Sequence, residues 1–212
     1  MEIKLNEMID YTLLKPIATV EDIENLTSVA KANNFYSVCV NPFYVELAKH
    51  YLQNSTVKIC CVVGFPLGAN LTETKVFEAK QAVADGANEI DMVMNINAFK
   101  SKNYDYVLNE INKICDSVNV PVKVIVETSE LDKEELKKAC DIVNKSKALF
   151  IKTSTGFSKS GANIEDIKFM KKHMIKGKLI KASGGIADSE TAIKMIEAGA
   201  SRIGTSRNLL KS

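Results

Sequence analysis

The chain has 212 residues, enough for one compact domain with a full core. Its composition, 46% apolar and 25% charged, is that of a globular protein, and a formal charge of +2 gives no electrostatic case for nucleic acid or a membrane surface. No apolar run reaches the roughly 18 residues of a membrane span, and the charged stretch Met1 to Glu7 does not read as a signal peptide.

Short β-branched apolar runs alternate with longer amphipathic stretches. A first strand is expected near residues 11–14 and a second at 38–40, closed by Asn41-Pro42. The third, at 57–63, runs into Gly64-Phe65-Pro66, and a helix is expected over 72–84 with Thr72 as its N-cap and Val76, Ala79 and Val83 as its apolar stripe. Asp85-Gly86-Ala87 ends that helix before a fourth strand at 90–94. A fifth strand at 122–126 follows Pro121, and a helix over 132–143 follows in turn. The sixth strand, 148–151, leads into Lys152-Thr153-Ser154-Thr155-Gly156, ahead of a helix at 164–174. The seventh, 179–180, leads into Lys181-Ala182-Ser183-Gly184-Gly185, ahead of a helix at 189–198. The eighth, 201–203, leads into Gly204-Thr205-Ser206 and a short C-terminal helix.

Runs that are apolar throughout imply a sheet covered on both faces, and strand–helix alternation implies parallel pairing. Eight such units predict an α/β fold, a (β/α)8 TIM barrel, as a single domain over residues 1–212. An open doubly wound sheet is the alternative, weakened because no Gly-x-Gly-x-x-Gly follows the early strands.

In parallel barrels the chemistry gathers where strands meet the following loops. The polar residues there are Lys15, Asn41, Asp91, Asn95, Glu127, Lys152, Thr153, Lys181, Ser183, Thr205 and Ser206. Lys152 and Lys181 stand out because each is attached directly to an apolar strand, where an ammonium loses its hydration. Each reads either as a strand-end lysine reaching solvent or as a functional amine. An amine attacks a carbonyl only when neutral, and desolvation and a neighbouring cation both favour the neutral form. Lys152 is therefore the expected nucleophile and Lys181, on the adjacent strand, the cation beside it. Asp91, inside Glu89-Ile90-Asp91-Met92-Val93-Met94, reads either as a structural ion pair with a barrel lysine or as a proton shuttle.

Gly184-Gly185 and Gly204 precede helix starts in the last two units, where backbone N–H groups can approach an anion. Both loops together predict a phosphorylated substrate, since this is the frequent phosphate position of the barrel class. Metal-dependent chemistry is not expected: His50 and His173 are the only histidines and both fall on helical, surface stretches. Serine or cysteine hydrolase chemistry lacks a histidine partner for the same reason. The cysteines Cys39, Cys60, Cys61, Cys115 and Cys140 are odd in number with no metal-knuckle spacing, and read as reduced core residues of a cytoplasmic protein.

The segments Asp10 to Pro16, Val38 to Pro42, Gly64 to Gly68, Glu89 to Asn95, Phe150 to Phe157, Lys181 to Ile186 and Arg202 to Ser206 resemble, in collinear order, the deoxyribose-phosphate aldolase family. The pair Lys152-Thr-Ser-Thr-Gly and Lys181-Ala-Ser-Gly-Gly is the most specific part. The resemblance implies reversible cleavage of 2-deoxy-D-ribose 5-phosphate to acetaldehyde and D-glyceraldehyde 3-phosphate, with no metal and no cofactor. It implies that Lys152 forms the Schiff base while Asp91 and Lys181, with a water, transfer protons. Thr155, Gly156, Gly184, Gly185, Gly204 and Ser206 are then expected to line the sugar-phosphate pocket. Partners are limited to that small molecule, with a homodimer or higher homo-oligomer left open. A different Schiff-base sugar-phosphate lyase, or a silent barrel that only binds such a metabolite, are the competing readings.

The sequence departs from the family pattern at several places. Tyr11 stands where histidine is usual, Lys159-Ser160 replaces a Thr-Gly pair, and Arg207 follows Ser206 where a small residue is usual. The ending Leu210-Lys211-Ser212 carries no terminal tyrosine of the kind some longer members bring to the site, which implies a different proton-transfer arrangement or lower turnover.

Overall fold

Each of the eight apolar runs becomes a strand: β1 (Ile9–Leu13), β2 (Ser37–Val40), β3 (Lys58–Val63), β4 (Glu89–Val93), β5 (Val122–Ile125), β6 (Phe150–Lys152), β7 (Leu179–Ser183) and β8 (Arg202–Thr205). In the computed structural model, which describes residues 3–210, the strands pair in parallel in chain order and β8 closes onto β1. That closure removes the open-sheet alternative. Eight helices cover the barrel: α1 (Val20–Ala32), α2 (Val45–Tyr51), α3 (Thr72–Asp85), α4 (Ile96–Lys100), α5 (Tyr104–Ser117), α6 (Lys133–Lys145), α7 (Ile164–His173) and α8 (Ser189–Ala198). None is long and apolar enough to cross a membrane among the described residues.

Local chemistry starts several of these helices. Thr19 with Asp22, and Asp132 with Glu135, form reciprocal capping boxes at α1 and α6. The side chains of Asn163 and Asp188 accept the N–H groups of Asp166 and Thr191 to cap α7 and α8. The expected cap at Thr72 is not found. Leu71 occupies the N-cap, and the Thr72 hydroxyl instead donates to Tyr106 at 3.0 Å, on α5. The expected C-terminal helix is not found among the described residues either, where 206–210 form bends and a turn. His50 is exposed, whereas His173 is half-buried, its Nδ1 2.8 Å from the Phe169 carbonyl.

Alternation along the strands separates two interiors. Val38, Val40, Ile59, Cys61, Ile90, Met92, Val124, Ile151, Ile180 and Ile203 join the helices in one apolar cluster between barrel and outer ring. The residues between them (Asp10, Cys60, Asp91, Lys123, Lys152, Lys181 and Arg202) meet one another across the barrel. The reading of the strands as apolar on both faces is therefore corrected. Their inner face carries charge, which an inspection of β-branched runs overlooks because the apolar residues dominate each run.

Candidate active site

The strand pairing places Lys152 of β6 directly beside Lys181 of β7. Both strands extend further than the apolar runs suggest, so Lys152 is the last residue of β6 and Lys181 the middle of β7 rather than a loop residue. Both side chains turn onto one atom, the Asp91 Oδ2 on β4, with Nζ distances of 2.8 Å each. Asp91 Oδ1 accepts from Lys123 Nζ at 2.8 Å and from the Cys60 thiol at 3.0 Å. Burial alone would raise the Asp91 carboxyl, but Lys123, Lys152 and Lys181 outweigh it and hold the group well below the ordinary carboxylate range.

Lys181 has a second partner, Asp10 Oδ2, and Asp10 Oδ1 accepts from Arg202 at 2.8 Å and from Ser37 at 2.7 Å. Arg202 continues to Glu89 at 2.9 Å, and Glu89 returns to Lys123 at 2.6 Å. The ring of charge thus comprises four cations, Lys123, Lys152, Lys181 and Arg202, around three carboxylates, Asp10, Glu89 and Asp91. Burial favours the neutral form of Lys181, yet Asp10 and Asp91 push its affinity for the proton above that of a free lysine. Lys123 is held charged in the same way, by Asp91 among others. Lys181 is therefore not the bare cation that its position beside Lys152 suggested; its charge is committed to two carboxylates. Lys152, with Asp91 as its one carboxylate contact, is the amine least tied to the ring.

Above this ring lies a cavity of about 420 Å³. Lys152, 2% exposed, reaches it from below, whereas Asp91 and Lys181 are wholly buried beneath. All six residues expected to hold the sugar phosphate, Thr155, Gly156, Gly184, Gly185, Gly204 and Ser206, line its wall. Gly184 and Gly185 sit at φ of +86° and +75°, conformations that L side chains rarely adopt. The loop after β6 crosses them closely, the Ala162 N–H donating to the Ser183 and Gly184 carbonyls at 3.1 and 3.0 Å. Among the described residues the N–H groups of Gly184, Gly185 and Ser206 donate to no backbone carbonyl, which leaves them for an anion.

Gly204 plays an additional part. A Cβ there would stand 3.1 Å from the Cε of Lys181 and 2.9 Å from the Cβ of Ser183, so the missing side chain makes room for the lysine. Thr155 lines the cavity while its hydroxyl donates to the Glu127 carboxylate. Glu127, with its backbone in the left-handed region at φ +56°, also accepts the Thr155 N–H, and burial raises its carboxyl. Lys159 pairs with Glu130 at 3.1 Å. Tyr11 packs its ring against Phe35, with centroids 5.4 Å apart. The only two arginines of the sequence both lie here, Arg202 in the buried ring and Arg207 exposed on the cavity wall.

Two donor groups in the ring have metal-ligating types within reach of one another, Cys39–Cys60–Asp91 and Asp10–Cys60–Glu89. Their carboxylate oxygens already receive lysine and arginine, and that surrounding positive charge opposes a cation there. The residues present do not fit a metal centre.

The sequence pattern that defines DeoC/LacD family aldolases matches residues 7–208. A deoxyribose-phosphate aldolase of Ureaplasma urealyticum serovar 10 is 54% identical over 204 residues, covering 96% of this chain and 95% of its own length. The solved structure of an aldolase, QR15, superposes with a TM-score of 0.94 at 48% identity, covering 97% of this chain and 92% of that one. The deoxyribose phosphate aldolase of Aeropyrum pernix, described as tetrameric, superposes with a TM-score of 0.88 at 34% identity, with 95% and 86% covered.

Proposed function

The chain belongs to the DeoC/LacD aldolase family, and from that premise we propose that it cleaves 2-deoxy-D-ribose 5-phosphate reversibly to acetaldehyde and D-glyceraldehyde 3-phosphate through a Schiff base on Lys152. The observation that carries this reading is one buried amine, Lys152 Nζ, 2.8 Å from Asp91 at the floor of a cavity walled by glycine loops. The neutral amine attacks the C1 aldehyde of the open-chain sugar, and loss of water gives the imine. The imine draws electrons from the C2–C3 bond as the C3 hydroxyl loses its proton. Glyceraldehyde phosphate leaves, C2 is reprotonated, and water releases acetaldehyde. Asp91 and Lys181, joined through one carboxylate oxygen, are the groups placed to pass these protons through a water. All the groups required come from this chain, and the reading needs no cofactor.

Acetaldehyde with borohydride should reduce one imine, and peptide mapping should place the adduct on Lys152. A coupled assay should detect acetaldehyde released from the phosphorylated sugar. An adduct mainly on Lys181 would overturn the assignment of the nucleophile. An adduct on Lys152 without cleavage of deoxyribose phosphate would leave a different Schiff-base lyase.

The phosphate end is assigned to the N–H groups of Gly184, Gly185 and Ser206, with Lys15 and Arg207 as exposed cations on the same cavity wall. Removing Arg207 as Arg207→Ala should raise KM for deoxyribose phosphate about fivefold, since an exposed charge contact contributes about 1 kcal/mol. The same variant should leave kcat/KM for unphosphorylated deoxyribose unchanged. An equal effect on both sugars would remove Arg207 from phosphate recognition. The free, buried or half-buried cysteines support a cytoplasmic setting, and exposed Phe43, Leu67, Leu71 and Phe77 support assembly into a homo-oligomer.

A further inference from the structure

The mechanism makes no use of two thiols that lie against its proton-transfer groups. Cys39 on β2 and Cys60 on β3 are register partners in adjacent parallel strands, and both side chains face the barrel interior. Strands lie about 4.8 Å apart, inside the roughly 4.4–6.8 Å between Cα atoms that a disulfide spans. The Sγ atoms of Cys39 and Cys60 and a carboxylate oxygen of Asp91 all fall within 4.8 Å of one another. Cys61, next in sequence, faces the opposite way into the apolar layer beneath the helices.

We propose that Cys39 and Cys60 form an intramolecular disulfide on exposure to a peroxide, a reversible modification that disables the site by taking the thiol donor away from Asp91. The surroundings suit this chemistry. The neighbouring Cys60 thiol and the ammonium groups of Lys181 and Lys152 favour the Cys39 thiolate against the effect of burial. Burial pushes the Cys60 thiol up, so it keeps its proton until a reactive partner forms. Leu14 clusters with the two wholly buried thiols and also lines the cavity, so the pair lies one side chain away from the substrate space.

The balance is closed by one oxidant. The Cys39 thiolate attacks one oxygen of hydrogen peroxide, breaking the O–O bond to give the sulfenic acid and, with a proton, water. The Cys60 sulfur then attacks the Cys39 sulfur; the S–S bond forms, the S–O bond breaks, and the Cys60 proton leaves with the hydroxide as a second water. The Cys60 sulfur that donates to Asp91 at 3.0 Å in the reduced protein then has no hydrogen to offer. Asp91 retains its three lysines, Lys123 among them on Oδ1, but that oxygen loses its second donor.

Oxidising the purified chain with hydrogen peroxide, then denaturing and alkylating it, tests this directly by mass. The reduced protein should take up five alkyl groups, one for each cysteine. The oxidised protein should take up two fewer and yield one cross-linked peptide pair joining Cys39 to Cys60. Cys39→Ala and Cys39→Val should abolish that pair, whereas Cys115→Ser should leave it intact. Aldolase activity should fall in step with the cross-link and return with dithiothreitol. Full alkylation after oxidation, a cross-link through Cys61, or a sulfinic acid on Cys39 with Cys60 still free would each overturn the proposal. So would a complete cross-link with undiminished activity, which would separate the thiols from Asp91. The activity arm rests on the aldolase reading. Failure of that reading shows separately, as the missing borohydride adduct in the fully reduced protein.

Discussion

Replacing Lys152 with methionine is expected to lower kcat/KM for deoxyribose phosphate by at least about four orders of magnitude, the scale of losing a covalent nucleophile. The fold should survive the change. Methionine matches the length of the lysine stem, and the lost ammonium is one of four cations facing three carboxylates. Without it Lys123, Lys181 and Arg202 balance Asp10, Glu89 and Asp91, and Asp91 still receives Lys123 and Lys181 at 2.8 Å each. Burying an unbalanced charge is costly, so Lys152→Met should keep the melting temperature of the parent or raise it. Lys152→Arg should be equally inactive, because a guanidinium does not give up its proton to become a nucleophile. Steady-state assays with thermal unfolding on the same samples decide the matter. Inactivity accompanied by a collapsed melting temperature would mean that Lys152 serves the fold. Activity within tenfold of the parent would place the nucleophile elsewhere.

The difference between what the residues announce and what they conceal follows from how each is buried. Lys152, Lys181 and Asp91 are legible because a charge inside or beside a strand of apolar residues is costly without a reason. Lys123 carries the same signal within Val122-Lys123-Val124, and attention to strand ends alone passes over it. Asp10 and Arg202 are missed because the first strand begins earlier than its apolar run, and an arginine at the head of a strand reads as solvated. Lys75 gives no local sign at all. It sits on α3 among lysines of identical type, and only the packing of α5 brings Glu110 to within 2.9 Å of it. That pair is wholly buried, and Lys75 also donates to the Val93 carbonyl at 2.9 Å, fixing the end of the strand that carries Asp91. Burial of a pair 35 positions apart in the chain is a tertiary fact. The closed barrel, by contrast, was readable from eight alternations of strand and helix, because each unit states its own periodicity.

The second large effect is expected at Lys181. Lys181→Met should reduce kcat by at least about two orders of magnitude, the contribution of one positioned acid–base group. It removes the shared link through Asp91 Oδ2 and leaves Asp10 Oδ2 facing only Lys123, at 3.8 Å. Because Lys181 holds its proton more tightly folded than unfolded, its stabilising effect is complete below the unfolded lysine value and is lost only as pH rises past the folded one. Asp91 runs the opposite way: its effect is complete above the unfolded carboxylate value and fades as pH falls below it. Between these limits both groups are charged, so neither of them adds a pH dependence to the stability difference between parent and Lys181→Met from about pH 5 to about pH 9. Activity should not be flat. In the parent, three remaining cations balance three carboxylates when the Lys152 amine is neutral. Without Lys181, the same neutral amine leaves a buried excess of negative charge, so the ring retains its last movable proton more firmly. The acid limb of kcat/KM against pH should therefore move to higher pH in the variant. A large drop in rate with an unmoved acid limb would restrict Lys181 to proton transfer, and a rate equal to the parent would take it out of the mechanism.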